Sequence, residues 1–263
     1  MSSRLAEIAQ RTIELIQPSI NISIKNVVIG LLYSGVQLEN GSIGVSYTLT
    51  DRRGDLNAYH QLLQRGFLSE KSLEELIDFC SSKYAILRTI GVAALNSLSQ
   101  AHINYTTATD QDVGELLDLT SDSLVGMVGN IHPITRYLSK KNISLRILDE
   151  YDPVSPIKNI TPASKVSDLG GVDHILISGS ALVFDSLDEI IKLLPQVSGY
   201  KVLVGPSAQV LPEVAFQLGF SLVGSSRIIN AEKTLRVLQQ GGGYRFFKKY
   251  TQKYSFAKGF ELQ

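Results

Sequence analysis

Five apolar runs in the second half of the chain constrain its fold more than any other feature. They are LVGMVGN (Leu124 to Asn130), SLRILDE (Ser144 to Glu150), HILISGS (His174 to Ser180), KVLVGPS (Lys201 to Ser207) and FSLVGSS (Phe220 to Ser226). Each passes from apolar residues into glycine, acid or serine, and stretches with helical spacing such as SLDEIIKLL and AQVLPEVAFQLG follow. Continuous apolar runs alternating with helices predict parallel strands buried on both faces. In such a sheet ligands bind outside the carboxyl ends of the strands, where the strand order reverses. The exits therefore carry the candidate ligand-binding residues: Gly126, Gly129 and Asn130, then Asp149 and Glu150, then Ser178, Gly179 and Ser180, then Gly205, Pro206 and Ser207.

The first half is organised differently. After an amphipathic opening helix, Asn26 to Leu38 reads as one long strand, Glu39-Asn40-Gly41 as a hairpin turn, and Ser42 to Leu49 as the returning strand. The polar loop TDRRGDLN ends this hairpin. Two helices are expected next, Glu70 to Cys80 capped by Ser69, and Tyr84 to Leu98. Helix, hairpin and helices make a small α+β unit. The aperiodic stretch Gln100 to Asp112, with Asp110 as a helix cap, places a boundary near residue 104. The expectation is α/β overall: a small α+β domain over 1–104 and a mostly parallel sheet domain over 105–263.

Bulk properties exclude several classes. No run approaches the roughly 18 apolar residues a membrane span needs, so no membrane partner is expected. The N-terminus carries acids within its pattern and does not read as a signal peptide, which leaves the cytoplasm as the expected location. One cysteine, Cys80, cannot form an internal disulfide or a cysteine zinc cluster. Net charge is zero, yet residues 244–263 hold five basic residues and one acid among interleaved aromatics. That tail could track phosphates and stack bases. The reading favoured here packs its aromatics on the domain and leaves its lysines in water, with no nucleic-acid partner. Nothing in the sequence speaks against a homo-oligomer.

The exits are rich in amide, hydroxyl and carboxylate and poor in paired catalytic groups. Gly126-Met127-Val128-Gly129 lets a ligand approach the backbone, or is simply a tight turn; it lacks the G-x-G-x-x-G dinucleotide pattern. Asp149 and Glu150 end the second strand, where an acid binds ribose hydroxyls, and equally fit a solvated acid beside Arg146 or a turn. Ser178, Ser180 and Ser207 could cradle a carboxylate or phosphate, while Ser207 also suits a helix N-cap. No G-x-S-x-G elbow is present, which argues against a serine hydrolase. The histidines at 60, 102, 132 and 174 are too dispersed for a zinc site, so no metal ligand set is named. His132 reads first as an exposed cap or loop residue and second as a ligand contact. Asn96, polar within an apolar helix, must find a partner, either in the interdomain cleft or as a loop brace.

The combination GLLYSGVQL…GSIGVSYTL, VGMVGN, LISGSALV, VGPSAQVLPE and QQGGGYRFF resembles the heavy-metal chelation family over nearly the whole chain. The resemblance implies a Rossmann-like domain preceded by a domain like the enolase N-terminal fold, with a site between them. It further implies a role in making or handling a metal-chelating small molecule, pterin-, flavin- or siderophore-like; no established reaction comes with it, and it leaves any cofactor unknown. One departure from the family pattern stands out: where members often carry Asn, this chain has Phe184-Asp185-Ser186. Three functions stay open at this point. They are an enzyme acting on such a metabolite by condensation or hydrolysis, a binding or delivery protein for the chelate, and an S-adenosylmethionine-dependent methyltransferase.

Overall fold

A computed structural model describes residues 3–17, 20–50, 66–149 and 158–259. The chain opens with helix α1 (Arg4–Ile16), capped by Ser3, whose hydroxyl accepts from the Ala6 N–H at 3.2 Å. Its buried residues Leu5, Ile8, Ala9, Thr12 and Ile16 recur at helical spacing and turn one face inward.

Three antiparallel strands follow, β1 (Ile24–Val28), β2 (Tyr33–Leu38) and β3 (Ile43–Tyr47), in the order β1-β2-β3. The single long strand expected over 26–38 is therefore two strands, with Val28 paired to Gly35 across a reversal at residues 29–32. The reversal was hidden because it is built from Ile29, Gly30, Leu31 and Leu32, not from polar turn residues. The Asn40-Gly41 hairpin forms as expected, closed by Leu38 N–H on the Ser42 carbonyl at 2.8 Å. The loop expected at 50–57 falls almost entirely outside the described residues.

Helix α2 is shorter than expected, Leu73–Ile77, and its cap is Ser72, not Ser69. Ser72 and Glu75 form a reciprocal capping box, and this outcompetes Ser69, which lies inside a preceding 3-10 turn. Helix α3 (Ala85–His102) runs beyond Leu98 and is buried nearly all round, packed on β2 and β3. Helix α4 (Val113–Leu116) starts after Asp112, not Asp110.

The large sheet contains β4 (Leu124–Val128), β5 (Ser144–Leu148), β6 (Ile160–Ala163), β7 (His174–Ser178), β8 (Lys201–Val204), β9 (Leu222–Ile228) and β10 (Thr251–Ala257). Their order is β6-β5-β4-β7-β8-β9-β10, parallel throughout except for β10 against β9. The chain builds outward from β4 to β6, returns to place β7 on the other side of β4, and builds outward again. The order thus reverses between β4 and β7, the kind of place at which open parallel sheets bind ligands. The crossovers use α5 (His132–Lys140), α6 (Leu187–Leu193), α7 (Pro212–Gln217), α8 (Ala231–Gln239) and α9 (Tyr244–Phe247).

All five strand readings from the sequence correspond to strands. Two strands were not read. β6 contains Pro162, which a strand at the sheet edge tolerates. β10 is the aromatic tail, with Tyr254 and Phe256 buried and Lys248, Lys249, Lys253 and Lys258 exposed. The main apolar cluster draws on both halves of the chain, joining Val36, Leu38 and Leu95 to Ile175, Ile177 and Val223.

Candidate functional site

Strand β4 ends at Val128, and the chain turns at Gly129 with φ +79°. A β-carbon added there would lie 2.8 Å from the Cβ of Ser178 on β7, so the two diverging strands meet at backbone distance. The Gly129 N–H donates to the Leu148 carbonyl at 2.8 Å, which ties this turn to the end of β5. Asp149, one residue further, accepts from the Asn130 N–H at 2.6 Å through Oδ2. The Thr135 hydroxyl on α5 holds the Asn130 side chain, donating to Oδ1 at 3.0 Å.

Across the crevice, the Ser178 and Ser180 hydroxyls lie 2.8 Å apart. Gly205, at the exit of β8, has φ +124°, and a β-carbon there would lie 3.9 Å from the Ser178 hydroxyl. Gly179 packs directly against the backbone of Ser207 and Ala208, which leaves no room for a side chain. The exits of β4, β5, β7 and β8 thus bring together Gly129, Asn130, Asp149, Ser178, Gly179, Ser180 and Gly205, with Pro206 half-buried beside them.

Four further candidates, Gly126, His132, Ser207 and Asn96, have different surroundings. Gly126 sits within β4, facing Val172. His132 is exposed at the start of α5. Glu150 lies outside the described residues. Ser207 does not cap a helix; its hydroxyl accepts from the Tyr47 N–H of β3 at 2.8 Å. Asn96 resolves as a brace: its Nδ2 donates to the carbonyls of Val45 and Ser207, both at 2.8 Å. Its Oδ1 is buried and has no hydrogen-bond partner.

These braces fix β3 against the crevice. Gln209 bridges the Val45 N–H at 2.8 Å and the Ser226 carbonyl at 2.7 Å. Their consequence is Tyr47, a residue that the sequence reading missed. Burial raises its phenol pKa, and the negative charge of Asp149 raises it further. Tyr47 meets Tyr33 edge-on at 6.0 Å, and Tyr33 meets Phe247 at 5.4 Å, so an aromatic wall backs the site. The signal for Tyr47 was faint in sequence, because a tyrosine in a strand reads as ordinary packing.

Chemically the strand exits offer a carboxylate and two neutral hydroxyls, with the Tyr47 phenol on neighbouring β3; the Gly129, Asn130 and Gly205 amides already donate to Leu148, Asp149 and Gly224. The Ser178 hydroxyl pairs with another hydroxyl and not with a base. Among the described residues no group of three or more His, Cys, Asp or Glu side chains is placed to hold a metal ion. Cys80 is buried, and burial pushes its thiol pKa far upward, so it is neither a nucleophile nor a ready thiolate ligand.

Fold and site together define an α/β protein with a large, mostly parallel sheet and a cluster of polar side chains at its strand exits. The chain belongs to the DUF364 family, described as "Putative heavy-metal chelation", whose model matches residues 112–257. A second model with the same description, DUF4213, matches residues 13–99. An uncharacterized protein of Methanocaldococcus jannaschii is 30% identical over 259 residues, which cover 95% of this chain and 96% of that one. The crystal structure of a DUF364 protein of unknown function from Pyrococcus horikoshii is similar, at 28% identity and TM-score 0.77, covering 97% and 100% of the two chains. A DUF364 protein of unknown function from Desulfitobacterium hafniense shares the fold at 19% identity and TM-score 0.73, covering 97% and 98%. No helix among the described residues is long and apolar enough to cross a membrane.

Proposed function

We propose that this protein binds a small polar metabolite that itself chelates a metal, in a crevice between a small domain (1–104) and a Rossmann-like domain (105–263). The observation that carries this reading is the approach of Gly129 to Ser178, with Asp149 and the Ser178–Ser180 pair around it. Paired hydroxyls and one carboxylate recognise charge and hydrogen-bonding edges. They do not supply the nitrogen or sulfur donors that a borderline or soft ion needs. The family description speaks of chelation, and a chelate that brings its own donors reconciles that description with this donor set. Binding and delivery suits the crevice better than catalysis, since among the described residues no nucleophile of the strand exits is paired with a base.

The test is native mass spectrometry of the freshly purified protein, with metal analysis of the same sample. A co-purifying metal-binding heterocycle or siderophore-like compound, lost in Gly129→Val, is the expected result. Tight stoichiometric uptake of free zinc or nickel by ligand-free protein would contradict the reading.

A second reading rests on Asp149 at the carboxyl end of β5, next to the Gly129 turn. An acid at this place in a nucleotide-binding sheet accepts from ribose hydroxyls. Calorimetry with S-adenosylmethionine decides it, and an absence of heat at high ligand concentration removes the methyltransferase.

A further inference from the structure

The large apolar side chains that the described residues leave exposed are unevenly placed. Ile29, Leu31 and Leu32 form the β1–β2 reversal, and Phe246 projects from α9; Leu31 and Phe246 are 72% and 62% exposed. These positions adjoin in space. A β-carbon on Gly241 would lie 3.5 Å from the Leu31 Cβ, and one on Gly243 would lie 3.1 Å from Leu32 Cδ1. The Gly243 carbonyl in turn accepts from the Phe246 N–H at 2.9 Å. The neighbouring residues of α9, Tyr244 and Phe247, turn inward onto each other, with Phe247 also against Tyr33, so Phe246 is left pointing out.

The rim of this patch is basic. Arg245, Lys248 and Lys249 flank Phe246 and are exposed, as is Lys233 on α8. Between Ile229 and Lys258 the only acid is Glu232, and it is paired with Arg236. Lys233 and Lys249 both lie over the Tyr250 ring, at 5.7 and 5.1 Å, which gathers their charge at one place.

We propose that the β1–β2 reversal and α9 form a docking surface for an anionic lipid membrane. Leu31 and Phe246 enter the headgroup layer while the lysines and arginine meet lipid phosphates and carboxylates. Aliphatic tips within a cationic rim are what interfacial insertion requires. The same charge argues against a second copy of this chain, since a two-fold contact would face one basic rim with another. It fits nucleic acid less well, because Phe246 is the one ring among the exposed apolar side chains of the patch, and Ile29, Leu31 and Leu32 give a second base nothing to stack on. The absence of a membrane partner expected from hydropathy concerned spanning segments, and a surface contact needs none.

The experiment is flotation of the full chain with vesicles of phosphatidylcholine alone, or with a third of the lipid replaced by phosphatidylserine. Binding is expected to the anionic vesicles only and to fall with added salt. Replacing Lys248 and Lys249 by Gln weakens it about 30-fold, taking about 1 kcal/mol for each charge. Leu31→Ser with Phe246→Ser weakens it about 10-fold or more, although both positions are exposed and the thermal melt stays put. The proposal is overturned if anionic vesicles are not bound, or if all variants bind them alike. It is equally overturned if Phe246→Ser dissolves a dimer seen by ultracentrifugation, or if an oligonucleotide displaces the vesicles through the same lysines. None of these outcomes depends on the identity of the crevice ligand.

Discussion

Replacing Arg88 tests what holds the segment after β7 in place. Arg88 lies on α3 and is 7% exposed. Its Nε donates to the Val183 carbonyl at 3.0 Å, and Nη1 donates to the carbonyls of Ser82 and Lys83 at 3.2 and 2.9 Å. Nη2 reaches Asp185 Oδ1 at 2.6 Å, but the Asp185 side chain is 89% exposed. An ion pair with one partner in water is worth about 0–1 kcal/mol. Hydrogen bonds from a charged donor contribute about 1.5–3 kcal/mol each, and a carbonyl stripped of its donor costs about 1–3 kcal/mol. With three carbonyls affected and some regaining water, Arg88→Met should cost about 3–5 kcal/mol. Asp185→Asn should cost under about 1 kcal/mol. Urea unfolding followed by circular dichroism and tyrosine fluorescence measures both, since the chain has 11 tyrosines and no tryptophan. The double variant should match Arg88→Met, because Asp185 acts only through the guanidinium. If Asp185→Asn alone destabilises as much as Arg88→Met, the argument from backbone carbonyls is wrong. The Asp185 departure from the family pattern would then be the feature that matters.

Other expectations follow from the same geometry. Gly129→Val forces a β-branched residue to φ +79° and onto Ser178, so it should lower stability by about 2 kcal/mol or more and remove ligand binding, both measurable by melting and calorimetry. Asn96→Leu strips a donor from the Val45 and Ser207 carbonyls and should cost about 1–3 kcal/mol; Asn96→Asp, which turns an acceptor on them, should cost more in the same urea assay. The Nδ1 of His174 accepts from the Tyr200 N–H at 3.0 Å, and burial lowers the His174 pKa despite neighbouring Asp173. The unfolded chain therefore binds the extra proton first, and stability should fall as pH drops below about 6.5. Glu7 and Glu75 also have lowered pKa values, but their contribution is lost only below the ordinary carboxylate range, so urea midpoints at about pH 7 and 5 isolate the histidine. His174→Asn keeps an acceptor without a titrating ring and should flatten that dependence.

How far the chain could be read depended on whether a residue's partner was near in sequence. The strands of the large sheet announce themselves because both faces are buried, so Val125, Ile147, Leu176 and Leu203 need no distant context. Gly129, Asp149 and Ser178 could be placed at one end of the sheet because parallel topology puts all strand exits there. The β1–β2 reversal failed because apolar Ile29, Leu31 and Leu32 occupy a turn whose reason lies in the loop after α8. Ser207 and Asn96 were placed at the site by position, yet their partners are Tyr47 and Val45, more than forty residues distant in the chain. No local pattern encodes such a pairing. Tyr47 was passed over for the same reason.

The outer edge of β3 has a consequence for how a ligand at the strand exits would be received. Alternate N–H groups at Val45, Tyr47 and Leu49 point away from β2, and Gln209, Ser207 and Thr89 supply an oxygen to each. Three side chains from two other segments thus stand in for a neighbouring strand. An edge so occupied cannot recruit another polypeptide. It also cannot swing away from the large sheet without breaking the bonds to both Gln209 and Ser207, while Thr89 on α3 holds it within its own half of the chain. The wall carrying Tyr47 is thereby set before any ligand arrives, and association should be a single step whose observed rate rises linearly with ligand concentration. The amides of Val45, Tyr47 and Leu49 should exchange with deuterium as slowly as those of an interior strand, although they lie at the margin of a three-stranded sheet.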